Sequence, residues 1–290
     1  MEPTTTSFPS PADGLDITYH VWDTAAPARA TVQIAHGVAE HSLRYGRLAA
    51  ALSAAGYRVY ANDHRGHGSS IGGDVALGSF GAAGWPGLIA DAVALGELVA
   101  DENPGIRHFL VAHSMGSFAA QEMILDHSDL FDGVVLTGTT ALDLMAQALA
   151  AAGPGPVELT AFNAGFEPRT GYEWLSRDDA EVDLYVADPL SGFDLADDTV
   201  PQLFTSAGRL ADPEALAGIR DDLPILIASG EDDPLAGKGQ LIQALAQRYR
   251  DAGITDLQVN LYPEARHEVF NETNRDEITA DVAAWLAAHS

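Results

Sequence analysis

Strands alternating with helices along most of the chain predict an α/β fold, a mostly parallel central sheet with helices on both faces and an inserted helical cap. Three observations carry this. Apolar strand-like runs recur at 31–35, 57–61, 106–111, 133–137, 224–228 and 257–262. Helical segments separate most of them. The alternation then stops between residues 139 and 222, a stretch far longer than one crossover helix needs.

Taken in order, residues 5–23 read as an antiparallel pair, with Ala12-Asp13-Gly14 as the turn and Ile17, Tyr19 and Val21 alternating on the second strand. Thr31–Ala35 is a strand ending at His36-Gly37, and Leu48–Ala55 an amphipathic helix closed by Gly56. Tyr57–Ala61 runs into Asn62-Asp63-His64-Arg65-Gly66-His67-Gly68-Ser69. A helix over 85–101, a strand over 106–111, a helix over 116–126 and a strand over 133–137 follow. Beyond the insertion come the strand 224–228, a helix over 238–252, the strand 257–262 and a closing helix over 276–288. The expected organisation is a core of 1–138 and 223–290 with a cap of 139–222.

Ligands bind such sheets outside the carboxyl ends of the strands. His36, Asp63, Ser114, Asp233 and His267 all fall at such ends. Ser114 sits in Ala112-His113-Ser114-Met115-Gly116, where an apolar strand meets an Ala-rich helix. Small residues two positions either side allow a tight strand–turn–helix with the hydroxyl at its apex. The usual pattern has glycine where this chain has Ala112.

A serine hydroxyl is a poor nucleophile at neutral pH and needs a base to take its proton and an acid to orient that base. His267, in the loop directly after the last strand, is the candidate base. The candidate acid is in Gly230-Glu231-Asp232-Asp233-Pro234; a short turn off the strand end favours Asp233 over Asp232 and Glu231. A tetrahedral oxyanion needs two preset donors. The backbone N–H of Met115 is one, and the loop after His36-Gly37, most simply Val38, supplies the other. Leu142 and Met145 on the first cap helix, with Phe162, Phe166, Trp174 and Tyr185, are candidates to line an apolar substrate pocket.

In this setting His36-Gly37-Val38-Ala39-Glu40-His41-Ser42-Leu43-Arg44-Tyr45 resembles the H-G-x-x-E-H-S-x-R-Y signature of monoacylglycerol lipases and bacterial lysophospholipase-like hydrolases of the α/β-hydrolase superfamily. Asp63–Ser70 is similar to that family's D-x-R-G-H-G-x-S block. The elbow, the acid loop and the base loop follow in the same order, Ser114, Asp233, His267. The resemblance covers roughly 15–138 and 220–290. It implies those three residues as the triad, Val38 and Met115 as oxyanion donors, and a carboxylic ester as substrate, monoacylglycerols or lysolipid-like esters first. A lactone or a bulkier aryl or alkyl ester is the alternative, because the cap carries no transferable substrate pattern. Related dehalogenases and epoxide hydrolases place Asp where Ser114 stands, and proline iminopeptidases carry G-G-S-W-G at the elbow. A non-catalytic module on the same fold would be expected to have lost part of this set.

Other features narrow the classes. No cysteine is present, which excludes disulfides, thiol chemistry and cysteine metal sites. The spacing of Asp63-His64-Arg65-Gly66-His67 matches no metal-ligand pattern, and no phosphate-binding glycine pattern occurs, so neither metal nor cofactor is expected. Glu40, His41 and Arg44 are expected to brace the oxyanion loop. With 15 basic against 42 acidic residues, net −27, and Lys238 the only lysine, the field opposes binding to nucleic acid or anionic lipid. No apolar run is long enough to insert stably in a bilayer. A cytoplasmic protein acting on a small hydrophobic ester or lactone is the expectation, and the acidic surface neither requires nor excludes a dimer.

Overall fold

A computed structural model describes residues 2–152 and 158–290. Eight strands form one sheet: β1 (Thr4–Pro9), β2 (Asp16–Trp22), β3 (Ala30–Ala35), β4 (Tyr57–Asn62), β5 (Arg107–His113), β6 (Gly133–Thr137), β7 (Ile225–Gly230) and β8 (Leu257–Tyr262). Their spatial order is β1-β2-β4-β3-β5-β6-β7-β8. β1 and β2 form the expected antiparallel pair, β2 runs antiparallel to β4, and every pairing from β4 to β8 is parallel. Gly14 sits in the hairpin turn at φ 80°, a conformation glycine adopts without penalty.

Helices α1 (Gly46–Ala54), α2 (Gly84–Glu102) and α3 (Met115–His127) connect the first half of the sheet; α8 (Gln240–Asp251) and α9 (Arg275–Ala288) serve the second. The pleat of β5 shows how both faces become core. Leu110 and Ala112 face the layer containing Leu88 of α2, Met123 of α3 and Leu245 of α8. Phe109 and Val111 face the layer containing Leu52 of α1 and Val282 and Trp285 of α9. Successive side chains of a strand point to opposite faces, so a strand covered on both sides is apolar throughout.

Between β6 and β7 the chain adds no strand among the described residues. It forms α4 (Leu142–Ala152), α5 (Asp179–Ala187), α6 (Thr199–Leu203), α7 (Pro213–Leu216) and short 3-10 turns. Two of these helices start at aspartates, Asp178 and Asp212, whose side chains accept a first-turn amide. Residues 153–157 of the expected cap lie outside the described residues. No helix among those described is long and apolar enough to cross a membrane.

The core buries several uncharged histidines. Burial pushes His64 and His108 down to about 3 and His67 to about 4. Burial and neighbouring histidines hold His36 and His113 well below 6.5. Unfolded, these rings regain the ordinary value, so their contribution is complete above pH 6.5. It is lost as pH falls below 6.5 and the unfolded chain takes up protons the folded one refuses. Each such ring costs about 1.4 kcal/mol per pH unit in that window. His267, whose affinity for a proton is raised, and the buried carboxyls of Glu40 and Asp91 run the other way. The thermal midpoint is expected to drop steeply between pH 6.5 and 4.5, with net proton uptake on unfolding. Calorimetry across that range checks it, and a flat profile from pH 7 to 5 would contradict neutral burial.

Candidate active site

Ser114 occupies the turn between β5 and α3 with φ 51° and ψ −122°, a strained region for a residue with a Cβ. Tight packing imposes it. A Cβ on Gly116 would lie 2.3 Å from the Ala35 carbonyl oxygen and 2.6 Å from that of His36, so only glycine lets α3 approach β3 so closely. Ala112, the departure from the usual glycine, is accommodated with no exposed surface. Among the described residues the Ser114 side chain makes no capping bond to its helix. Ser114 lines a cavity together with His267, Val38 and Met115.

His267 Nδ1 lies 3.0 Å from Asp233 Oδ2, and both side chains are almost completely buried. The second Asp233 oxygen accepts the Leu235 amide at 2.8 Å, which fixes the carboxylate. Asp232 and Glu231, one and two residues away, are exposed. With the carboxylate accepting at Nδ1, that nitrogen carries the proton and Nε2 is left as the basic one. Burial lowers the proton affinity of His267, but Asp233 and then Glu268 and Glu40 outweigh it and leave it raised above 6.5. No hydrogen bond joins Ser114 to His267 among the described residues; such contacts tighten on substrate binding.

The loop after β3 is held by an ion cluster. Glu40 accepts the Gly37 amide at 2.5 Å and the Tyr45 hydroxyl at 2.8 Å, and its other oxygen pairs with Arg44 at 2.5 Å. Arg44 reaches Glu268, next to the candidate base, through two bonds of 2.6 and 2.8 Å. Burial raises Glu40, whereas Arg44, outweighing burial, holds Glu268 down to about 2. The backbone amides of Val38 and Met115 have no protein acceptor among the described residues. The first amides of a helix are left without intrahelical partners, so Met115 N–H is available to a ligand. His41 pairs with Asp188 of the inserted segment at 2.8 Å.

The inserted segment supports both loops. Tyr185 donates its hydroxyl to the Ala39 carbonyl at 3.0 Å, and the Gly192 amide donates to the same oxygen at 2.9 Å. The amides of His267 and Glu268 donate to the carbonyls of Trp174 and Leu175 at 3.3 and 2.7 Å. The rings of Trp174 and His267 lie 4.8 Å apart.

Of the six pocket candidates, Met145, Phe162, Trp174 and Tyr185 line the cavity. Leu142 and Phe166 do not. Leu142 is 1% exposed, packed into the apolar layer beneath, and Phe166 lies under the Arg266 guanidinium with its ring centre 4.5 Å away. Hydrophobicity marks all six alike; only their direction separates them. Leu159, Leu175, Val200, Leu203 and Phe204 of the insertion also line the cavity, with Phe118 and Leu235 from the core. Apart from Phe118 and Phe204, which are aromatic, these positions are aliphatic and carry no signal distinguishing them from ordinary core.

The Asp63 block has a bracing role. Asp63 accepts from Ser42 N and Oγ at 3.0 and 2.6 Å and from Ser69 N at 2.8 Å. His36 Nε2 accepts the His64 amide at 2.9 Å. Arg65 is fully buried against Asp91 at 2.8 Å.

Residues 26–274 match the family described as "Serine aminopeptidase, S33" (Hydrolase_4). The chain belongs to that family. Within reach of it lies a monoacylglycerol lipase of Mycolicibacterium smegmatis, 29% identical over 95% of this chain and 94% of the relative. A mouse monoglyceride lipase is 26% identical over 95% of this chain and 88% of its own. A thermostable carboxyl esterase from Bacillus coagulans, solved in complex with glycerol, superposes with a TM-score of 0.86 at 25% identity over 99% of each chain. The α/β-hydrolase fold and superfamily expected from the sequence are those of the family.

Proposed function

We propose that this protein hydrolyses carboxylic esters with a hydrophobic acyl or alkyl part through an acyl-enzyme, and that residues 139–222 act as the cap that selects the substrate. The observation that carries the reading is the convergence on one apolar cavity of Ser114, the Asp233-paired His267 and two unpartnered amides. In the reaction Ser114 Oγ attacks the ester carbonyl while His267 Nε2 takes its proton. Asp233 holds the Nδ1–H and stabilises the imidazolium. Val38 and Met115 N–H donate to the oxyanion. Collapse breaks the carbonyl–alkoxy bond, the imidazolium protonates the departing alcohol, and water repeats the sequence to release the acid.

The family takes its name from a serine aminopeptidase, whereas the mycobacterial and mouse relatives are named as lipases and the Bacillus structure as a carboxyl esterase. The cavity favours the ester. An aminopeptidase would need a free carboxylate for the substrate's ammonium group, and the two glutamates lining the cavity, Glu40 and Glu268, are both engaged by Arg44. Monoacylglycerols are the first substrates to try, by similarity to those relatives. The absence of cysteine fits a cytoplasmic location. Incubation with monoacylglycerols, lactones and an aminoacyl anilide tests the assignment, together with labelling by a fluorophosphonate. Ester turnover and labelling are expected; a folded chain that cleaves only the anilide would refute it.

A further inference from the structure

A second, more open cleft adjoins the Ser114 cavity within the inserted segment. Leu159, Val200 and Phe204 line both spaces, so these three side chains form the partition between them. Beyond it the walls are largely apolar, with Leu149, Phe193 and Pro201, and the half-buried Tyr172. Trp174, Tyr185 and Phe118 line the inner cavity but not the outer cleft, so a chain longer than the inner space holds reaches the outer cleft past the three shared side chains. The outer cleft also carries three acidic residues, Glu158, Asp194 and Asp197, all exposed. No lysine or arginine lines it, and none of the three forms an ion pair among the described residues, unlike Asp178, Asp179, Glu181, Asp183 and Asp188 of the same insertion. Asp194 is close enough to Tyr172 for its charge to raise the phenol, after burial. In a chain of net charge −27, little compensates these three carboxylates.

Building on the ester-hydrolase reading, we propose that the outer cleft is a second subsite for the distal part of the substrate's hydrophobic chain, entered past Leu159, Val200 and Phe204, and that Glu158, Asp194 and Asp197 make it reject chains ending in an anion. Apolar burial holds an uncharged chain there. A terminal carboxylate meets three like charges and loses its hydration. Because all three acids are exposed, the repulsion weakens with salt.

The experiment compares kcat/KM for 4-nitrophenyl butanoate, 4-nitrophenyl dodecanoate and the mono-4-nitrophenyl ester of dodecanedioic acid. Val200→Trp should fill the partition and lower the dodecanoate-to-butanoate ratio by about ten-fold, the range expected when a few methylenes lose their burial. In the wild type at low salt the neutral dodecanoate should exceed the carboxylated ester by about ten-fold, and the Glu158→Gln/Asp194→Asn/Asp197→Asn variant should narrow that gap several-fold. Equal losses on both chain lengths in Val200→Trp, or an unmoved charge ratio in the triple variant, would overturn the proposal. If Val200→Trp does not fold, the triple variant decides. A wild type that cleaves none of the three esters refutes the ester-hydrolase reading itself, a result distinct from either.

Discussion

Replacing Ser114 by alanine should lower ester turnover by about 10⁶-fold, the scale on which loss of a serine nucleophile acts when its base and oxyanion donors remain in place. The thermal midpoint should stay nearly unchanged. The hydroxyl makes no capping bond to α3, and alanine keeps the same strained backbone because it too has a Cβ. Loss of activity would therefore report chemistry and not unfolding. Ser117, the only other hydroxyl of the elbow, is fully buried and donates to the Ser114 carbonyl at 2.7 Å. Residual turnover of several per cent with unchanged substrate preference would move the nucleophile elsewhere. Fluorophosphonate labelling of Ser114→Ala gives the same answer independently of substrate.

Asp233→Asn should cost about 10⁴-fold in kcat, because an asparagine can present its amide N–H to Nδ1 and drive the proton to Nε2, the nitrogen that must accept from serine. A pH profile separates this from a structural defect. In the wild type His267 must be neutral to act, and its raised proton affinity places the acid limb of kcat/KM above 6.5. Removing Asp233, the strongest stabiliser of the imidazolium, should move that limb to lower pH while the maximum falls. Asp232→Asn, at an exposed position in the same loop, should leave both features where they are. If Asp232→Asn is the more damaging change, the acid has been assigned one residue too late.

Both outcomes bear on how far primary structure carries the reasoning. The strand that delivers Ser114, the glycine that admits α3 and the loops bearing Asp233 and His267 are legible because each is a local signal. An apolar run, a small residue or a turn after a strand keeps its meaning whatever lies far off in the chain. The observed strands differ from those read in the sequence by a residue or two at their ends. Gly116 shows why such signals are reliable: a side chain there would overlap the backbone of β3. The preference for Asp233 over its neighbours also follows locally, from the length of the turn after β7.

What stayed hidden concerns direction and long-range support. Leu142 and Met145 lie on one helix and both pack into the same apolar layer, yet only Met145 also lines the cavity. The support that Trp174 and Leu175 give to the His267 loop, and Tyr185 and Gly192 to the Ala39 carbonyl, joins segments roughly 90 to 150 residues apart, through backbone groups alone except for the Tyr185 hydroxyl. Backbone carbonyls and amides are the same in every residue, so no composition or spacing announces such bonds.

The sequence by itself determined the α/β fold, the order of the reactive groups and the chemical class they imply, since these rest on short patterns governed by sterics and burial. Only the tertiary structure decided which side chains of the inserted segment line the cavity, how the Glu40–Arg44–Glu268 cluster ties the two loops together, and that a second cleft continues beyond Val200. Those depend on where distant surfaces come to rest against each other, and close packing settles that only when the whole chain is folded.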